Sequence, residues 1–175
     1  MAVERVVAGV SPASIEAVFE DFQRDLFTYA VRLAPDRAAA EDAVQTAFLE
    51  LVRANRAGRQ PDNVRAWLYR VCGNELRGAA RRRRVADRWR SLIGRRADID
   101  PPEVAVLGRE RRDDVAVVLA SLPFNQRRAF LLSVDGFSGP EIARILGRSD
   151  AATRILLFRA RSAIRLGVER MEADR

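Results

Sequence analysis

From Ile15 onward, apolar residues return every three or four positions: Ile15, Val18/Phe19, Phe22, Leu26, Ala30 and Leu33. That spacing puts them on one face of a helix. Ser14 is placed to cap this first helix and Pro35 to stop it. Asp36 then caps a second, with Ala40, Ala43/Val44, Ala47/Phe48 and Leu51/Val52 on its stripe. The stretch ANRAGRQPDN, residues 54–63, reads as loop by its Gly, Pro and Asn. A third helix begins near Val64 and runs through Trp67, Leu68, Val71 and Leu76 into Arg81–Arg84. No stretch alternates apolar and polar residues long enough for a strand, so the chain is read as all-α.

Pro101-Pro102 halts any helix and divides the chain into two small helical modules, residues 14–94 and 104–170, with a linker at 95–103. Val104–Leu122 forms a helix ending before Pro123, followed by shorter pieces at Asn125–Val134, Ser138–Leu146 and Ser149–Val168. Ser138 with Glu141 three residues on is a capping box, and Pro140 sits in the first turn, where its missing N–H costs little. Gly147 is the turn residue before the longer basic helix. A short helix, a glycine turn and a longer basic helix is the grammar of a helix-turn-helix, which helical hairpins of other proteins share. If Val85–Pro102 were extended it would span about 60 Å; helix over Val85–Arg95 would shorten that reach.

Charge is segregated along the chain. Residues 14–52 hold 3 Arg and 8 acids, a net of −5, whereas residues 53–96 hold 14 Arg and 3 acids, a net of +11. Residues 97–123 carry −3 and residues 124–175 carry +4. Two basic blocks that meet polyanion, and an acidic surface that meets something else, is the reading this supports. Every basic residue is arginine and there is no histidine, which excludes Ser-His-Asp and Cys-His catalysis and mixed Cys/His zinc sites. No spaced acidic cluster and no glycine-rich phosphate loop appears. No enzyme activity, metal or cofactor is expected. No apolar run approaches the roughly 18 residues of a membrane span, and the first residues lack a signal peptide's apolar core. Membrane insertion is not expected, and a cytoplasmic location is. The single cysteine, Cys72, lies in an apolar helical context and is expected to be buried and inert.

The segments AEDAVQTAFLELVRA (residues 40–54), VRAWLYRVCGNELRGAARRRR (64–84) and LASLPFNQRRAFLLSVDGFSGPEIARILGRS (119–149) resemble, in that order, bacterial sigma factors of the extracytoplasmic-function (ECF) group. The resemblance runs from about Ile15 to Leu166. It implies a first module of the sigma region 2 type and a second of the region 4 type, carrying the helix-turn-helix. It also implies core RNA polymerase and promoter DNA as partners, with an inhibitory anti-sigma protein as a further one. Position by position, the polymerase-binding helix falls on Ala40–Arg53, with Asp42, Gln45, Phe48 and Leu49 at the docking surface; Phe48 serves equally well as core. The −10 recognition and melting segment falls on Asn55–Asn63 and the helix after it. Asn55, Gln60, Asp62, Asn63 and Asn74 offer hydrogen-bonding edges, and Arg65, Arg70, Arg77 and Arg81–Arg84 offer charge. Trp67 is either core or a stacking platform. About five engaged phosphates would give log K a slope near −4.5 against log salt.

The −35 contacts fall on Arg148, Ser149, Arg154 and Arg159. The second module raises a question here. Thr153, Leu157, Ala160, Ile164 and Val168 make the buried face, leaving Ala152, Arg154, Ile155, Leu156, Phe158 and Arg159 toward a groove. Many members of the resembled family carry lysine, serine, arginine and histidine across 154–158, of which only Arg154 remains here as a long donor. Aliphatic side chains touch thymine methyls but make no hydrogen bonds to base edges, so base readout is expected to be weakened. The ordinary home for Ile155, Leu156 and Phe158 is packing within the module; other uses are docking to the first module, the polymerase or an anti-sigma protein. Two functions compete with a dissociable sigma subunit: a helix-turn-helix regulator acting without polymerase, and a sigma-like module that binds a partner protein.

Overall fold

The computed structural model describes residues 12–92 and 111–173. Among these residues there are seven helices and no strand: α1 (Pro12–Leu33), α2 (Arg37–Arg56), α3 (Val64–Leu92), α4 (Arg111–Ser121), α5 (Phe124–Val134), α6 (Gly139–Leu146) and α7 (Asp150–Ala173). None is long and apolar enough to cross a membrane. The chain separates into two compact units, residues 1–89 and 90–175. The expected linker at 95–103 lies outside the described residues, as does the expected helix over residues 104–110.

In the first unit α1 packs on α2. α1 begins at Pro12, so Ser14 lies inside the helix rather than capping it; proline in a first turn loses an N–H that had no helical partner. Asp36 is an N-cap, its side chain accepting from the Ala39 N–H at 2.8 Å. Leu26, Tyr29, Ala30 and Leu33 of α1 are buried with Ala40, Ala43, Ala47 and Leu51 of α2. The three alanines keep α2 thin on its inner side, which lets α1 approach closely. α3 contributes Leu68, Tyr69, Cys72 and Leu76, all fully buried, so Cys72 is indeed core. Tyr69 lies against Tyr29 with ring centroids 4.8 Å apart. α3 continues to Leu92, so Val85–Leu92 is helix and not extended chain.

In the second unit α7 packs on α4, α5 and α6. Glu141 Oε2 accepts from the Ser138 backbone N–H at 2.8 Å and from its hydroxyl at 2.6 Å, which holds the start of α6. Gly147 has φ 64°, the left-handed region that favours glycine. There the Arg148 N–H reaches back to the Ala143 carbonyl at 2.9 Å, closing α6 before the chain turns into α7. Ser149 caps α7 through its hydroxyl, which accepts from the Ala152 N–H at 3.3 Å. The core of this turn is Leu132, Ile142, Ala143, Thr153 and Ala160, together with a fully buried and partnered arginine, Arg128.

Farther along α7, a Cβ built on Gly167 would stand 2.5 Å from Val118 Cγ2 of α4. Alanine ordinarily stabilises a helix over glycine by about 1 kcal/mol, but overpacking a core contact costs about 1–3 kcal/mol. The clash is with a branched, buried side chain that has little room to move. Gly167→Ala is therefore expected to destabilise the second unit by about 1 kcal/mol, lowering its thermal midpoint by about 4–8 °C. A melt followed by circular dichroism checks this; a raised midpoint would show that α4 and α7 separate without cost.

Candidate functional site

Three surfaces carry the residues that the sequence singles out. The first is a groove of about 660 Å³ between α1 and α2. Phe19, Phe27, Val44, Phe48, Leu49 and Val52 form its apolar lining, with Glu16, Glu20 and Glu41 among its polar residues. Phe48 is only 8% exposed and meets Phe19 edge-on at 4.8 Å. It is the floor of the groove. Leu49 is 49% exposed, and Asp42 and Gln45 are exposed beside it. Asp42, Gln45 and Leu49 stand at i, i+3 and i+7, one side of α2. Arg37 bonds Glu41 at 2.8 Å and lies over the Phe27 ring at 5.2 Å, fixing one end of the groove. The part played by Phe19 and Phe27 is not evident from the sequence. Its one signal is the doubled register Val18/Phe19, where Val18 turns inward and Phe19 is left 44% exposed.

The second surface is the loop after α2 and the outer side of α3. The loop is held by its own side chains: Gln60 Nε2 donates to Asn55 Oδ1 at 2.7 Å, and Asn63 Oδ1 accepts from the Ala66 N–H at 2.8 Å as the cap of α3. The acceptor oxygens of Asn55 and Asn63, expected to face bases, are thus used within the loop. Arg65 lies 5.7 Å from the centre of the Tyr69 ring. Trp67 is half-buried, neither core nor an open platform. At 100° per residue, Arg70, Asn74, Arg77, Arg81 and Arg84 fall within about 80° of one another and span about 21 Å of helix; all five are exposed. Arg83 does not belong to this stripe. Its Nη1 donates to the Pro35 carbonyl at 3.4 Å and stands 3.7 Å from Asp36 Oδ2, so it fastens α3 to the turn between α1 and α2.

The third surface is the exposed side of α7. Thr153, Leu157 and Ala160 are buried as expected, whereas Ile164 and Val168 are only half-buried. Arg148, Arg154 and Arg159 are exposed, and the Ser149 hydroxyl caps the helix. Packing within the module does not account for the apolar residues. Ile155 is 52% and Phe158 71% exposed, and only Leu156 is half-buried. The reason is angular: relative to Thr153, Ile155 and Phe158 point about 200° and 140° around the helix, away from α4–α6.

Residues 18–86 match the family model for Sigma-70 region 2, and residues 112–164 that for Sigma-70, region 4. The chain is 37% identical over 155 residues to the ECF RNA polymerase sigma factor SigJ of Mycobacterium tuberculosis, covering 83% of this chain and 48% of that protein. It is 31% identical to the probable RNA polymerase sigma factor RfaY of Xanthomonas campestris, spanning 37% of it; the chain thus covers less than half of these two longer relatives. With the ECF RNA polymerase sigma-E factor of Escherichia coli K12 it shares 32% identity over 93% of this chain and 90% of that one. A solved structure of the sigma factor RpoE in complex with the anti-sigma factor NepR, from Bartonella quintana, aligns at TM-score 0.72 and 23% identity. It covers 88% of this chain and 96% of that one. At that identity the likeness is one of fold.

The arginine stripe makes a quantitative expectation. Replacing Arg77 and Arg81 with glutamine should weaken binding to promoter DNA of any sequence and flatten the salt dependence by about 0.7–0.9 for each phosphate no longer neutralised. Arg83→Gln should instead leave the slope nearly unchanged and lower thermal stability only slightly, by about 0–1 kcal/mol. Equilibrium binding across a salt series separates the two; equal slopes for both variants would remove the stripe from DNA binding.

Proposed function

The chain belongs to the ECF group of sigma-70 RNA polymerase sigma factors, and we propose that it binds core RNA polymerase and directs initiation at particular promoters. The observation that carries this reading is the sharing of labour within one small unit. The α1–α2 groove is apolar with carboxylates about it, and the outer side of α3 is a continuous cationic stripe. An acidic groove suits a basic helical segment of the polymerase, and opposite charge speeds and orients such docking. Behind it, cationic side chains on phosphates and a side-chain-braced loop suit an unpaired strand, whose bases are held by stacking and edge hydrogen bonds. The residues proposed for polymerase contact are Asp42, Gln45 and Leu49, with Phe48 supporting them from below. For the −10 element they are the loop from Asn55 to Asn63 and Arg65, Arg70, Asn74, Arg77, Arg81 and Arg84, with Trp67 beside them.

The second unit is proposed to dock on duplex DNA upstream, Arg148, Arg154 and Arg159 contacting it and Ser149 setting the start of α7. The domain bounds proposed are residues 14–94 and 104–170. Chemistry belongs to the polymerase; this chain contributes binding and strand opening, and it acts in the cytoplasm where the template is. An anti-sigma protein is a further proposed partner, since a groove open enough for polymerase is open to a competing inhibitor. The fold neighbours include CnrH, solved in complex with the cytosolic domain of CnrY.

Purified chain mixed with core polymerase free of any initiation subunit is expected to co-elute with it and to yield promoter-dependent transcripts from genomic fragments. Asp42→Arg with Gln45→Arg should abolish co-elution while circular dichroism stays unchanged, because both side chains are exposed. Retained binding would refute the docking surface. A footprint on duplex DNA without polymerase, and no transcripts with it, would favour an independent DNA-binding regulator.

A further inference from the structure

On α7 the residues Ala151, Arg154, Ile155 and Phe158 are all exposed. Their separations of three, one and three residues place them on one side of the helix over two turns. The spacing i, i+3, i+4, i+7 is the one by which the recognition helix of a homeodomain presents its base-contacting residues. The surface also begins in the right place: the chain has just left the left-handed turn at Gly147, and Ser149 caps the helix. It is the N-terminal half of the second helix of a helix-turn-helix that enters a major groove.

What this face offers is unusual. Only Arg154 carries hydrogen-bond donors; the other three side chains are hydrocarbon. Every polar feature of a base edge in the major groove needs a donor or acceptor, and the one feature met by hydrocarbon is the C5-methyl group of thymine. Exposed arginines Arg148, Arg159, Arg161 and Arg165 surround the patch, a setting for phosphates on either side of a groove. A half-exposed Ile and a largely exposed Phe have no structural use within the unit, since the side of α7 that packs on α4–α6 is carried by Thr153, Leu157 and Ala160.

We propose that Ile155 and Phe158 are specificity determinants that read thymine methyl groups in the upstream promoter element, with Arg154 making the one polar base contact. This rests on the reading that the second unit docks on duplex DNA.

The test uses holoenzyme assembled from the full chain and core polymerase. Promoters are recovered by transcribing genomic fragments, and the upstream segment protected by the second unit is mapped by footprinting. One such promoter is rebuilt with deoxyuridine for thymidine in that segment alone, which removes the methyl and leaves base pairing and the other groove groups unchanged. Occupancy is expected to fall about four-fold for each methyl contacted, the factor that corresponds to one buried carbon's worth of apolar surface. Ile155→Ala with Phe158→Ala should bind thymidine and deoxyuridine templates alike, with an unchanged circular dichroism spectrum. Equal occupancy of the two templates by the unaltered chain, or protected segments without thymine, overturns the proposal. If in that case the double variant loses a co-purifying protein instead, the patch is a protein-docking surface. Failure to initiate on any fragment overturns the sigma reading itself and the inference with it, whereas initiation indifferent to the methyl overturns the inference alone.

Discussion

Tyr69 rests against Tyr29, and with Leu68, Cys72 and Leu76 it seals one side of α3 against the first unit. That contact decides what the arginines of α3 are for. A helix rich in arginine has no preferred orientation in water, because each guanidinium is equally well solvated on any side. Once one side is committed to the core, the 3.6-residue repeat sorts the remainder. Arg70, Asn74, Arg77, Arg81 and Arg84 gather on one outer strip, while Arg83 turns back to the α1–α2 turn. The Arg83–Asp36 pair is part-exposed, and such pairs contribute about 0–1 kcal/mol. Its role is to set where α3 lies more than how stable it is. The same apolar packing that stabilises the unit therefore also aims its charge.

The second unit applies the same rule to a different result. Thr153, Leu157 and Ala160 commit one side of α7 to the core, and the outer side again carries arginines. Between them stand Ile155 and Phe158, apolar groups left in water. Folding alone gives no reason to keep them there, since full burial of a side chain of this kind contributes about 1.5–3 kcal/mol. Their exposure is a stabilisation held back until something covers them. Whatever covers them must also accommodate a dense ring of positive charge.

Much of this was legible in the residues. Asp36, Gly147 and the Ser138–Glu141 pair each mark a helix boundary by a local mechanism that needs no tertiary context, and each lies where the sequence places it. The buried stripe of α7 was legible as far as Ala160; beyond it Ile164 and Val168 are only half-buried although Gly167 still meets Val118 of α4, so periodicity overstates burial there. What was not legible depends on competition between uses of one residue type. Asparagine accepts a backbone N–H at a helix cap as readily as it meets a base, and only the position of the Ala66 amide shows that Asn63 does the former. Arg83 sits in a run of four arginines that differ in nothing but angle. Nothing in FNQRRAF distinguishes Arg128 from its neighbour Arg127, yet Arg128 is fully buried.

The division of donors between the two units constrains how such a chain selects a promoter. On the proposed reading of α7, one bidentate arginine would contribute about 1–3 kcal/mol of discrimination, and two methyl contacts would add about 0.8 kcal/mol each. The total, about 3–5 kcal/mol, is a factor of about 10² to 4 × 10³ between right and wrong sequences. A genome presents about 10⁶ or more competing sites. On that proposed reading the upstream contact would bring affinity and rough register, and the remaining selectivity would have to arise where single bases meet the loop and α3. Tethering makes the combination effective: once one unit is bound, the other searches at a high local concentration set by the connecting chain. Two weak readers in one chain then multiply their preferences, provided a promoter offers both elements at a separation the connection can span. On this argument the spacing between elements is itself part of what the protein recognises.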